Sequence, residues 1–142
     1  MNKPVKLVEC PRDAMQGWPR FIPTDKKTRY INSLLQIGFD TIDAGSFVSP
    51  KAIPQMADTK EVIKNLNPGK SKLLVIVANE RGAEEAVQFD EVSYLGFPFS
   101  ISETFQIRNA NSTIEDSLLR VEKISERCAR HKKDMVIYLQ VR

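Results

Sequence analysis

Val5-Lys6-Leu7-Val8-Glu9-Cys10-Pro11-Arg12-Asp13-Ala14-Met15-Gln16 is a short β-branched run that climbs to a glutamate and stops at a proline. Proline cannot donate to a central strand ladder, so the strand is expected to end near Cys10. Arg12 and Asp13 then stand just beyond a strand's carboxyl end, where parallel α/β folds gather their chemistry. Arginine is a fixed cation suited to carboxylate or phosphate, and aspartate is a hard oxygen ligand for a divalent cation. The same two residues also read as a surface ion pair capping a loop, an arrangement worth little to stability.

Outward from this stretch, strands and helices alternate. After a Pro- and Gly-containing loop, Thr24 can cap a helix whose apolar positions Tyr30, Ile31, Leu34 and Leu35 recur at helical spacing, with Gly38 as its stop. Thr41–Ser46 reads as the second strand, and a helix is expected from about Ile53 to Leu66 with Met56, Val62, Ile63 and Leu66 inward. Leu73–Ala78 is a near-continuous apolar run, the pattern of a strand covered on both faces. A short helix over Arg81–Phe89, a strand over Val92–Phe97 and a last strand over Met135–Leu139 complete the alternation. Ser112 with Glu115 suggests a capping box for a helix lined by Ile114, Leu118, Val121, Ile124 and Cys128. His131, the single histidine, falls at that helix's carboxyl end beside Lys132 and Lys133, where a cation complements the dipole and no metal-ligand spacing surrounds it.

Five strands alternating with four helices is a (β/α) pattern, whereas a closed barrel of this kind takes eight units and about 250 residues. The 142 residues are therefore expected to form one partial domain, 1–142, with the carboxyl-terminal part of the barrel absent. A small open doubly wound domain, complete in itself, is the alternative on length.

Bulk properties narrow the function classes. Hydrophobic residues make up 42% and charged residues 27%, an ordinary soluble composition. A net charge of +3 is too mild to argue for nucleic acid, although a basic face can assist an acidic substrate. No apolar run approaches the roughly 20 residues of a membrane span, and no signal-peptide pattern opens the chain. Cys10 and Cys128 lie far apart without a C-x-x-C pattern, which reads as reduced thiols and a cytoplasmic location.

The segments Val8–Gln16 (VECPRDAMQ) and Ile42–Asp58 (IDAGSFVSPKAIPQMAD) resemble the 3-hydroxy-3-methylglutaryl-CoA lyase family, a branch of the metal-dependent TIM-barrel lyases. The family opens on a Gly-Pro-Arg-Asp-Gly-Leu-Gln pattern and carries SFVSPK followed by PQM. The resemblance implies the amino-terminal five strands of a (β/α)8 TIM barrel and a homodimer acting on an acyl-CoA substrate, in leucine degradation and ketone-body metabolism. It implies Asp13 as a ligand to Mg²⁺ or Mn²⁺ and Arg12 as the group that neutralises the substrate's C1 carbonyl oxygen. Gln16 would orient substrate or loop; Ser46 and Ser102 would line the substrate pocket.

Asp43 stands where relatives carry Glu and is expected either to hold Arg12 by a charge-assisted hydrogen bond or to assist proton transfer. Cys10 replaces the glycine before the proline, and Ala14 replaces the one after the aspartate. Relatives that condense acetyl-CoA with keto acids show histidine at the Phe105 position, so Phe105 favours the lyase over a synthase of the isopropylmalate or homocitrate kind. The His-x-His pair, the later Asn and the loop cysteine of the family have no counterpart in this sequence. A non-catalytic half-barrel that dimerises through its open edges is the rival from a different class.

Overall fold

The computed structural model describes residues 2–141. Five parallel strands stand side by side in sequence order: β1 (Val8–Glu9), β2 (Thr41–Ser46), β3 (Lys72–Ile76), β4 (Val92–Ser100) and β5 (Asp134–Gln140). Helices α1 (Pro11–Gln16), α2 (Thr24–Ile37), α3 (Thr59–Lys64), α4 (Glu80–Ala86), α5 (Glu103–Ala110) and α6 (Ile114–Arg130) fill the crossovers, with a 3₁₀ turn at Pro54–Met56. The result is a half-barrel whose strand ends all point one way, which sets the residues after β1 to β5 on one rim.

Two apolar clusters hold the sheet to its helices. Ile42, Ala44 and Leu73 pack on Ile31, Leu35, Met56 and Val62, while Val75, Val77, Leu95 and Phe97 pack on Ala83, Ala86, Ile124 and Cys128. Every residue of β2 is buried, as a strand covered on both faces requires. The free cysteines, Cys10 and Cys128, lie in different parts of this arrangement.

Several local expectations are corrected. The helix expected from Ile53 to Leu66 is broken, because Pro54 opens a tight turn and Thr59 turns its hydroxyl back onto the Met56 carbonyl at 2.8 Å. Asp58 is drawn away to pair with buried Lys27 at 2.6 Å, and Thr24 donates to the same carboxylate at 2.7 Å instead of capping its own helix. The Lys27 ammonium also donates to the Gln55 carbonyl and sits 4.2 Å from the centre of the Phe21 ring. β4 runs past Pro98 to Ser100, since β3 pairs only as far as Gly96 and β5 supplies the ladder beyond it.

The capping box forms one residue later than expected, on Thr113 and Asp116, because Ser112 is committed to Ser117 at 3.2 Å in a buried hydroxyl network. Tyr30 and Leu118 face solvent. Helix α5 was not legible, its apolar residues being too few to draw a stripe. Lys133 spans α6 and β4 by donating to the Phe89 and Val92 carbonyls at 2.7 and 2.6 Å. Gly38 does end α2, in the left-handed conformation at φ 89°.

The Lys27–Asp58 pair is buried, so Lys27→Met leaves a carboxylate without its cation and is expected to destabilise the fold by about 3 kcal/mol. Thr113→Ala removes one exposed cap and is expected to cost about 1 kcal/mol. Urea unfolding of both variants checks the contrast.

Candidate active site

Pro11 opens α1 at the position where a missing N–H costs nothing, so the chain turns into a helix directly after β1. Arg12 lies on the side of this helix facing β2. Its Nη2 donates to Asp43 Oδ2 at 2.6 Å, and its Nε lies 3.2 Å from both carboxylate oxygens. Nη1 donates to Gln16 Oε1 one turn on at 2.9 Å and reaches Asp13 Oδ1 at 3.4 Å. Arg12 thus uses every arm of its fork, with a spread that the single ammonium of lysine cannot reproduce.

Burial differs sharply among the three charges: the side chain of Asp43 is 1% exposed, that of Arg12 13% and that of Asp13 76%. Burial pushes the Asp43 carboxyl above the usual aspartate range, and the opposing pull of Arg12 does not cancel it. Burial also works against the Arg12 charge, but the hydrogen bonds and charge of Asp43 outweigh it and hold the guanidinium protonated more firmly than usual. Burial, aided by Asp43, raises the thiol of Cys10 and the phenol of Tyr138, so both stay neutral near pH 7.

These groups line a cavity of about 510 Å³, walled by Cys10, Ile53, Ile76, Pro98 and Tyr138. Arg12, Asp13, Gln16 and Asp43 are brought together there. Ser46 is not: its backbone N–H donates to Thr59 at 3.1 Å, and its hydroxyl accepts from the Val48 N–H at 3.2 Å. Ser102 is not there either, its hydroxyl facing the Phe105 N–H at 3.4 Å at the start of α5. Tyr138 was missed by sequence reasoning, although its place on the last expected strand, shortly before its carboxyl end, was a usable signal.

Gln55 shows what the PQM motif does locally. Its carboxamide accepts from the Ile22 N–H at 2.8 Å and donates to the Trp18 and Arg20 carbonyls at 3.0 and 2.9 Å. This pins the loop that follows α1. As for metal, no group of three or more His, Cys, Asp or Glu side chains converges among the described residues. Asp13 fits as one oxygen ligand: its carboxylate is exposed at the cavity and only weakly engaged by Arg12. Asp43 does not fit, because both its oxygens are taken by Arg12.

No protein-family model matches the chain. It is 44% identical over 125 residues to the mitochondrial hydroxymethylglutaryl-CoA lyase of Mus musculus, covering 84% of this chain and 37% of that protein. It is 39% identical over 132 residues to the cytoplasmic 3-hydroxy-3-methylglutaryl-CoA lyase of Homo sapiens, covering 89% of this chain and 34% of the relative. The solved hydroxymethylglutaryl-CoA lyase of Pseudomonas aeruginosa superposes with a TM-score of 0.88 at 34% identity, covering 95% of this chain and 45% of the other.

Along most of its length the chain is similar to hydroxymethylglutaryl-CoA lyases. It spans less than half the length of these relatives. A further relative, from Acinetobacter baumannii, was solved in complex with coenzyme A and 3-methylmalate and superposes with a TM-score of 0.87 at 34% identity, covering 94% of this chain and 44% of that one. The half-barrel thus matches part of the fold of these solved lyases. Among the described residues no helix is long and apolar enough to cross a membrane.

The raised Asp43 carboxyl carries a pH prediction. Protonating it releases Arg12, and it takes a proton at higher pH than the about 3.9 of a free aspartate. In the folded state this shift favours the protonated form, so its contribution to stability is full below the unfolded value and is lost as pH rises through the folded one. Because protonation releases Arg12, a reaction that depends on the pair is expected to lose rate on the acid side above the free-aspartate range, and Asp43→Asn is expected to remove that acid limb. A pH–rate profile of both proteins measures it.

Proposed function

We propose that the protein carrying this chain cleaves 3-hydroxy-3-methylglutaryl-CoA to acetyl-CoA and acetoacetate. The observation that carries this reading is the Arg12–Asp43 pair: a buried carboxylate fixes a guanidinium at the rim of a cavity, in a chain whose relatives are lyases of that name. In such a cleavage the C2–C3 bond breaks, its electrons pass into the thioester as an enolate, and the C3 hydroxyl loses its proton to become the ketone of acetoacetate. The enolate then takes a proton to give acetyl-CoA.

Arg12 meets the negative charge that builds on the thioester oxygen. That charge is larger in the transition state than in the substrate, so a preorganised cation lowers the barrier instead of merely tightening binding. Asp43 acts through Arg12 as a positioning residue: both its oxygens point at the guanidinium, so it is poorly placed to carry a proton. Gln16 steadies Arg12 from one turn further along α1. Asp13 would supply one oxygen ligand to Mg²⁺ or Mn²⁺, whose chemistry when bound is that of a Lewis acid on the substrate's oxygen atoms.

Phe105, at the edge of a neighbouring cavity of about 690 Å³, supports a lyase over a condensing enzyme, because the histidine that resembled synthases carry is missing. A cytoplasmic location is part of the proposal, supported by the cytoplasmic human relative, while other relatives are named mitochondrial.

In the protein carrying this chain, Arg12→Gln is expected to lower kcat on the order of 10²-fold with little change in KM. Arg12→Lys keeps the charge but loses the fork and is expected to recover only part of the loss. Steady-state kinetics with 3-hydroxy-3-methylglutaryl-CoA decide it; an unchanged kcat in Arg12→Gln overturns the role.

A further inference from the structure

Gly96 sits in the middle of the nine-residue strand β4, where glycine packs nothing and weakens a strand. Its φ is not left-handed, unlike those of Gly38 and Gly69, so the backbone does not demand it. Space does. A Cβ at Gly96 would stand 2.9 Å from Ile76 Cδ1, 2.9 Å from Tyr138 Cε2 and 3.0 Å from Leu74 Cδ2. Ile76 is its direct partner on β3, and Tyr138 lies diagonally across on β5, paired with Pro98 two residues on. Diagonal neighbours are within reach of a ring. Leucine, isoleucine and tyrosine each turn about two torsions, but the ring moves as one rigid plate and must swing as a whole to clear a new methyl group.

We propose that Gly96 is a positioning residue: its missing side chain is the slot that lets the Tyr138 ring lie against β4 and form one wall of the cavity around Arg12 and Asp43. The wall then sets how large an acyl group the cavity takes, a consequence that rests on the lyase reading. Three observations agree. Tyr138, Pro98 and Ile76 line the same cavity as Arg12 and Asp43. Tyr138 is partly buried although β5 is an edge strand. Its phenol is raised by that burial and by the nearness of Asp43, as a ring tucked beside the pair requires.

The test is a cycle of Gly96→Ala, Tyr138→Ala and the double variant in the protein carrying this chain. It is read by kcat, by KM for 3-hydroxy-3-methylglutaryl-CoA and by the thermal unfolding midpoint. Gly96→Ala is expected to raise KM about tenfold with a smaller change in kcat, the scale of one methylene in a binding pocket. In the Tyr138→Ala background it should add no further loss, because the ring it displaces is gone. An equal loss in both backgrounds, or none in either, overturns the proposal.

If the parent protein does not cleave this substrate, the lyase reading fails and the unfolding midpoints still decide the role of Gly96. Gly96→Ala should then lower the midpoint only while Tyr138 is present; equal lowering in both backgrounds overturns the proposal. Should Gly96→Ala alone not fold, recovery of folding by Tyr138→Ala supports it, and failure to recover contradicts it.

Discussion

A carboxylate that is almost wholly buried at a strand end has to be matched by a cation. Asp43 meets that constraint with Arg12, and the local structure follows from the pairing. Removing one member of a buried pair leaves an uncompensated charge and costs on the order of 3–5 kcal/mol, so the pair locks α1 against β2. Locking α1 fixes the direction of Gln16 and leaves Asp13 facing outward. The cavity's electrostatics then have one fixed cation, one carboxylate spent on holding it and one carboxylate still accessible.

The scaffold allows this expense because its stability lies elsewhere. The two apolar clusters sit between sheet and helices and are built mainly from strand and helix residues, with Met15 and Phe47 reaching into them from the rim. A second polar assembly, Lys27 with Asp58 and the Gln55 carboxamide, ties the loop after α1 to the turn at Pro54–Met56. Two segments far apart in sequence, each recognisable as a motif, are thereby joined: the first supplies the charged groups, and the second holds the loop behind them.

Much of this was legible in the chain itself. Leu73–Ala78 could only be a strand covered on both faces, and Pro11 placed Arg12 and Asp13 beyond a strand end. Asp43 was readable as a partner for Arg12, with proton transfer left open beside it; the geometry engages both its oxygens with the guanidinium. What could not be read depended on contacts distant in sequence. Nothing local shows that Asp58 is claimed by Lys27, so the helix through Ile53–Leu66 looked continuous. Nothing local shows that Ser112 joins a buried hydroxyl network, so the capping box was set one residue early. Ser46 and Ser102 illustrate the same limit: a serine at a strand end looks alike whether it meets a ligand or its own backbone, and both are engaged with backbone here. Tyr138 needed the register of β5 against β4 before its place beside the pair could be seen.

The most direct measurement is product analysis. The protein carrying this chain is incubated with 3-hydroxy-3-methylglutaryl-CoA and Mg²⁺, and acetoacetate and acetyl-CoA are quantified together. Formation of both in equal amounts is the predicted result. Intact substrate, together with condensation of acetyl-CoA onto a keto acid by the same protein, would contradict the account.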